Sequence, residues 1–210
     1  MLKVSFKILY VFVCIAVLSP NESFGASQQQ IRVLIYESNN LSFKGDKEKT
    51  FLVKGIGSGW KARGSMQIKI EKGKLKYSKK ADASKWANLK NDSKIIVKTR
   101  DPRGIWISGR RYGGEFRIVN TGSNLRVINH LSLDKYLKSV VASEMPKSWP
   151  MEALKAQAVA ARTYALNQIK DNNYYDLDSN ISNQVYLGLE SETARTRKSV
   201  SYTKNLVLVY

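Results

Sequence analysis

Residues 131–170 read LSLDKYLKSVVASEMPKSWPMEALKAQAVAARTYALNQIK. The stretch predicts two helices joined by a short Pro-Trp turn. In the first, Leu133, Tyr136, Leu137, Val140 and Val141 recur at helical spacing and form one apolar face. The same spacing brings Glu144 onto that face next, in the last turn before Met145 and Pro146. A carboxylate aimed at the buried side without a cation has its charged form disfavoured, which raises its pKa. A raised carboxyl pKa suits a general acid near neutral pH. The alternative is that Glu144 sits at a frayed helix end, in water.

In the second helix, Pro150 suits the first helical position and Glu152 favours the positive N-terminus, a structural duty that leaves Glu144 the better catalytic candidate. Leu154, Ala158, Ala161, Ala165 and Ile169 form an apolar stripe, and Ala153, Ala156 and Ala160 a second face of small residues. A helix apolar on both sides is expected inside a domain. Its polar exceptions are Gln157, Arg162 and Tyr164. Gln157 and Tyr164 are seven apart and share the alanine side, whereas Arg162 calls for a partner, most cheaply a carboxylate.

Ahead of this helical pair, residues 27–129 carry a β pattern. Ile31–Ile35 is an apolar run of strand length, and Gln67–Tyr77 alternates around a glycine, the mark of a hairpin. Lys94–Lys98 and Gly104–Ser108 read as strands, and so do Glu115–Val119 and Leu125–Asn129, which flank the turn cluster Asn-Thr-Gly-Ser-Asn. Tyr112-Gly113-Gly114 marks a sharp bend with close backbone approach. Lys79–Asp92 is polar and without period, a surface insertion around Trp86. Trp60, Trp86 and Trp106 offer faces for sugar stacking or serve as plain core. Beyond the helices, Asp171–Asn173 ends the second one and Tyr174-Tyr175-Asp176 begins an irregular loop. A short helix follows over 191–199 with Ser191 as N-cap, and Leu206–Tyr210 reads as a strand. The fold class is therefore α+β: a β-rich N-terminal part packed around a long, buried central helix.

Residues 1–25 resemble a secretory signal peptide: Lys3 and Lys7, the apolar run Ile8–Leu18, and small residues at Ser23 and Gly25. The alternative is an uncleaved anchor. Cys14 follows Phe12 and Val13, a context unlike that of a lipoprotein cysteine. The exported chain then has no cysteine, so no disulfide and no thiol chemistry. Its single histidine, His130, reads as a strand-end or packing residue; no metal and no cofactor are expected. The formal charge is +18, and the leader contributes little of it. Such a surface prefers polyanions. The basic residues are scattered and no nucleic-acid motif appears, so the expected polyanion is the envelope rather than nucleic acid.

The segment SEMPKSWPMEALKAQAVAARTYAL, residues 143–166, resembles the core motif of the SpoIID/LytB family of cell-wall proteins, and the resemblance extends from roughly Phe116 to the C-terminus. The chain is thus expected to divide into a signal peptide over 1–25, a β-rich region over 26–114 and, by the resemblance, a SpoIID/LytB-type domain over 115–210 that is short at its C-terminal end. The family includes sporulation proteins that cut peptidoglycan glycan strands as lytic transglycosylases, and a protein named as a modifier of wall amidases. Its catalytic glutamate corresponds to Glu144. Some relatives carry a Cys/His pattern before a Gln-Val-Tyr segment. The corresponding residues 178–186 lack it, leaving Gln184 and Tyr186 as matched positions. The resemblance implies an exported envelope protein whose partners are peptidoglycan strands, with anionic envelope polymers or a wall amidase as further possibilities. Glu144 is the candidate acid, with Gln157, Arg162, Tyr164, Gln184 and Tyr186 as candidates for binding sugar or fixing Glu144. Contact between Arg162 and Glu144 would oppose acid duty, so Arg162 is read as structural or substrate-binding. The other reading is a non-catalytic wall-binding or amidase-modifying protein.

Overall fold

The structure, a computed structural model, describes residues 29–79, 85–169 and 174–209. The expected signal peptide with Cys14, the middle of the polar insertion and the expected helix stop at Asp171–Asn173 lie outside the described residues. In chain order the strands are β1 (Gln30–Ser38), β2 (Asn40–Gly45), β3 (Phe51–Gly55), β4 (Gly57–Arg63), β5 (Ser65–Glu71), β6 (Lys74–Ser78), β7 (Ala87–Asn88), β8 (Ile95–Lys98), β9 (Ile105–Ile107), β10 (Arg110–Tyr112), β11 (Glu115–Asn120) and β12 (Leu125–Ser132). Helices α1 (Leu133–Glu144) and α2 (Met151–Asn167), the short strand β13 (Leu177–Asp178) and helix α3 (Ala194–Tyr202) complete the fold.

The strands form a seven-stranded sheet in the order β13-β1-β12-β11-β8-β3-β4 and a six-stranded sheet in the order β10-β9-β2-β5-β6-β7. All pairings are antiparallel except β13 with β1. Period-two alternation explains which face is buried. In β1, Ile31, Val33 and Ile35 are buried; in β2, Leu41 and Phe43 are buried while Ser42 and Lys44 face solvent. One apolar core joins both sheets, and Phe43 of one sheet meets Phe51 of the other with ring centroids 6.4 Å apart. The expected hairpin is β5–β6, turned by Lys72 and Gly73, both at positive φ. Such a turn matches the twist of the strands it joins. The expected bend at Gly114 is present at φ +102°, where an added Cβ would sit 3.0 Å from the His130 carbonyl.

Helix α1 packs on β12 and β1, and α2 and α3 pack on α1. Its predicted face is buried in full, Leu133, Tyr136, Leu137, Val140 and Val141, each apolar side chain contributing roughly 1.5–3 kcal/mol. The α+β architecture stands, strand-rich at the N-terminal part with a helix packed behind. Helix α2 buries Leu154, Ala158, Ala161 and Ala165, but its small-residue face is open: Ala156 and Ala160 are exposed.

Three further expectations are corrected. Pro150 is the N-cap of α2 rather than its first helical residue. Helix α3 is capped by Thr193, not Ser191, because Thr193 and Thr196 form a reciprocal capping box. The expected strand at 206–210 is absent over 206–209. The Leu206 carbonyl accepts from Arg162, the Leu208 N–H donates to Thr163 Oγ1, and no strand among the described residues pairs with the segment. Strand propensity without a partner strand makes no ladder. No helix among the described residues is long and apolar enough to cross a membrane.

Candidate functional site

The SEMP segment is shaped by its proline. The residue before proline is driven out of the helical region, and Met145 is extended at φ −134°, ψ 148°. Helix α1 therefore ends at Glu144. The helical spacing that points Glu144 inward has nothing beyond it to continue the buried face, and Glu144 is exposed. Of the two expectations for Glu144, a carboxylate aimed at the buried side and one at a helix end in water, the structure has the second: it stands at the helix end, open to solvent.

Its orientation is nevertheless fixed. Glu144 Oε1 accepts the Val185 N–H at 2.6 Å. The turn after it is pinned as well: Trp149 N–H donates to the Pro146 carbonyl at 3.1 Å, and Arg195 of α3 donates to the Lys147 and Trp149 carbonyls at 3.1 and 2.6 Å. Trp149 leaves its ring half exposed on this turn.

The segment that supplies Val185 is anchored on every side. At its start, Asp176 bonds the backbone N–H and guanidinium of Arg32, and β13 runs beside β1. Asn183 donates to the Tyr164 hydroxyl at 3.1 Å. Gln184 accepts from Tyr136 at 3.1 Å and donates to the Ala161 carbonyl at 3.3 Å. Tyr186 donates to Asn129 Oδ1 at 3.0 Å and packs its ring against Tyr112 and Tyr136. Asn129 in turn donates to the Gly113 and Glu115 carbonyls. Burial pushes the Tyr136 and Tyr186 phenols up; Glu144 and Tyr164 add to the effect at Tyr136, within whose electrostatic reach both lie.

The five companion residues thus divide. Gln184, Tyr186 and Arg162 are buried and their polar atoms are engaged inside the protein. Arg162 donates to the Thr203 and Leu206 carbonyls at 2.7 and 3.1 Å and reaches Asp134 at 3.4 Å. Its expected carboxylate partner is Asp134. Tyr164 is exposed beside Asn183, and Gln157 is half-buried one stretch of α2 earlier, roughly 10 Å along the axis. The periodicity reading missed Tyr136, Asn129 and Asn183. The first two carried a signal, since a hydroxyl or amide on a buried face must find a partner. Among the described residues no group of three or more His, Cys, Asp or Glu side chains is placed to hold a metal ion.

Residues 121–210 match the family model described as Stage II sporulation protein, SpoIID. This C-terminal part of the chain is similar to the SpoIID/LytB family. Similar proteins include an uncharacterized protein of Brachyspira hyodysenteriae, 38% identical over 119 residues, 55% of this chain and 32% of the relative. The Amidase enhancer of Bacillus subtilis is 45% identical over 74 residues, 35% of this chain and 10% of the relative. Stage II sporulation protein D of the same organism is 46% identical over 46 residues, 22% of this chain and 13% of the relative. The chain thus spans a third or less of the length of these relatives. No solved structure matches it.

Proposed function

We propose that this chain is a SpoIID/LytB-type protein that acts in the cell envelope on peptidoglycan glycan strands, as a lytic transglycosylase with Glu144 as the working carboxyl. The observation that carries the reading is an exposed glutamate, at the position of the family's catalytic residue, with one oxygen held by a backbone N–H. Exposure serves this chemistry, because a polymer cannot reach a carboxyl sealed in a core. In its acid form Glu144 gives its proton to the glycosidic oxygen, and the bond from that oxygen to the anomeric carbon of N-acetylmuramic acid breaks. The sugar's C6 hydroxyl forms a bond to the same carbon, and the Glu144 carboxylate takes the hydroxyl proton. A 1,6-anhydro end results, with no water consumed, and one carboxyl suffices where most glycoside hydrolases use two.

Tyr164 and Gln157, on one flank of α2, are assigned to sugar contact, and Trp149 offers a ring face on the turn after Glu144. Gln184 and Tyr186 are positioning residues that hold Val185 against Glu144, and Arg162 braces the helices beneath. The test is digestion of purified glycan strands, with and without stem peptides, followed by mass analysis of the ends. Wild type is expected to release anhydro products and Glu144→Gln to release at least about 100-fold less. Equal product from both proteins would end the enzymatic reading.

A second reading, a non-catalytic wall-binding or amidase-modifying protein, is favoured by the likeness to the protein named Amidase enhancer. It predicts co-sedimentation with insoluble peptidoglycan that survives Glu144→Gln and weakens with salt.

A further inference from the structure

Two adjoining depressions lie away from Glu144. The first, about 460 Å³, has Lys49, Lys98, Arg100 and Arg103 in its lining. The second, about 680 Å³, is bordered by Arg100, Lys135, Lys138 and Arg197. Both include Arg100, Asp101 and Pro102, so they are two halves of one trough. Seven cations line it against two carboxylates, Asp101 and Glu192. Those carboxylates are already engaged, Asp101 by Arg103 at 2.9 Å and Glu192 by Arg197 at 3.6 Å, with Lys138 also within electrostatic reach of Glu192. Arg100, Lys135 and Lys138 have no ion-pair partner within 4 Å among the described residues. Like charges gathered along a recess repel one another and gain when a polyanion lies between them.

We propose that this trough is a binding site for a linear anionic polymer, recognised through regularly spaced phosphate or carboxylate groups. It is not shaped for nucleic acid: its aromatic lining residues, Phe51 and Tyr186, are buried and present no ring on which a base would stack. The trough is separate from the proposed catalytic carboxyl. Lys135 and Lys138 precede Glu144 by nine and six residues on α1, roughly 9–14 Å along the axis, with Lys135 on the opposite side of the helix. The proposal therefore stands or falls independently of the enzymatic reading.

The experiment measures fluorescence anisotropy of labelled 20-unit polyphosphate, 20-residue polyglutamate and a 20-nucleotide oligo-dT with the full chain at 50 and 200 mM NaCl. Polyphosphate or polyglutamate should bind, more weakly at the higher salt, and the tighter of the two names the anionic group. The combined Arg100→Gln, Lys135→Gln, Lys138→Gln variant should raise the Kd at least tenfold. A control triple on remote exposed lysines, Lys72→Gln, Lys74→Gln, Lys90→Gln, should raise it less than threefold. Melting curves check that the variants fold. If the trough triple does not, the exposed Arg100→Gln alone should still cost two- to threefold. Equal losses in both triples, no binding of either polyanion by wild type, or oligo-dT as the tightest ligand would each overturn the proposal. Anhydro-product release by the trough triple should match wild type.

Discussion

His130 sits in β12 between Arg32 of β1 and Glu115 of β11. Burial, with help from Arg117, pulls its imidazole down to about 4. In the unfolded chain the ring titrates near 6.5, so between those values the unfolded state holds the extra proton. Stability must then fall as pH drops from about 6.5 to about 4, by on the order of 1–2 kcal/mol once the water reaching the ring is allowed for. Glu192, pushed up by burial, works in the opposite sense, gaining relative stability as pH falls. The measurement is therefore the difference between wild type and His130→Gln in urea unfolding at pH 4.5 and pH 7. Removing the imidazole should flatten the slope over this range, and an unchanged slope would show that the ring is not held neutral. The residue scale is also where sequence reasoning was weakest. Periodicity carried Glu144 inward at the last helical turn, although Pro146 one residue beyond Met145 already announced that the helix had to stop. Gln184 and Tyr186 were legible as positions, but not as buried supports. Their partners Tyr136, Ala161 and Asn129 are 23 to 57 residues away in sequence, and no local pattern encodes such pairs.

At the scale of elements, alternation and helical spacing found the three helices and strands β1, β5, β6, β8, β9, β11 and β12, each of which buries one face, but not β2, β3, β4, β7, β10 or β13; β4 buries no face at all. Their ends followed finer chemistry. Ser191 looked like the cap of α3, yet its hydroxyl is taken up by Ser139 and the Gly188 carbonyl. Thr193 does the capping: its Oγ1 accepts the Thr196 N–H at 3.1 Å while Thr196 Oγ1 accepts the Thr193 N–H at 3.0 Å. Thr193→Ala should lower stability by about 1 kcal/mol, read as a shift of the urea midpoint at constant slope. A helix of nine residues has few hydrogen bonds of its own, so the cap is a sizeable part of what fixes its start. No change in midpoint would mean that packing of α3 on α1 and α2 alone sets its position. Sheet order was beyond local reading: β1 pairs Gln30 with Ser132 across the whole β region, a register chosen by tertiary packing rather than by either strand.

The whole molecule is held together across its layers by the stretch 183–192. It reaches α2 through Asn183 and Gln184, α1 through Val185 and Ser191, the seven-stranded sheet through Tyr186, and the six-stranded sheet where Leu189 N–H donates to the Arg111 carbonyl at 2.9 Å. The last contact needs Gly188. Its φ is +83°, and an added Cβ would lie 2.2 Å from the Arg111 carbonyl oxygen and 3.0 Å from the Tyr112 ring. Backbone oxygen cannot move aside without shifting β10, so Gly188→Ala combines left-handed strain with overpacking, together about 2–4 kcal/mol. For a chain of this size the melting midpoint should fall by about 5–15 °C. Gly109 separates the two contributions: its φ is +96°, but nothing lies within 4 Å of its added Cβ. Gly109→Ala should therefore show strain alone, about 1–2 kcal/mol. Equal losses at the two glycines would mean that the close approach to β10 adds nothing. The larger loss at Gly188 would show that the stretch presenting Val185 to Glu144 is seated by its fit against the far sheet.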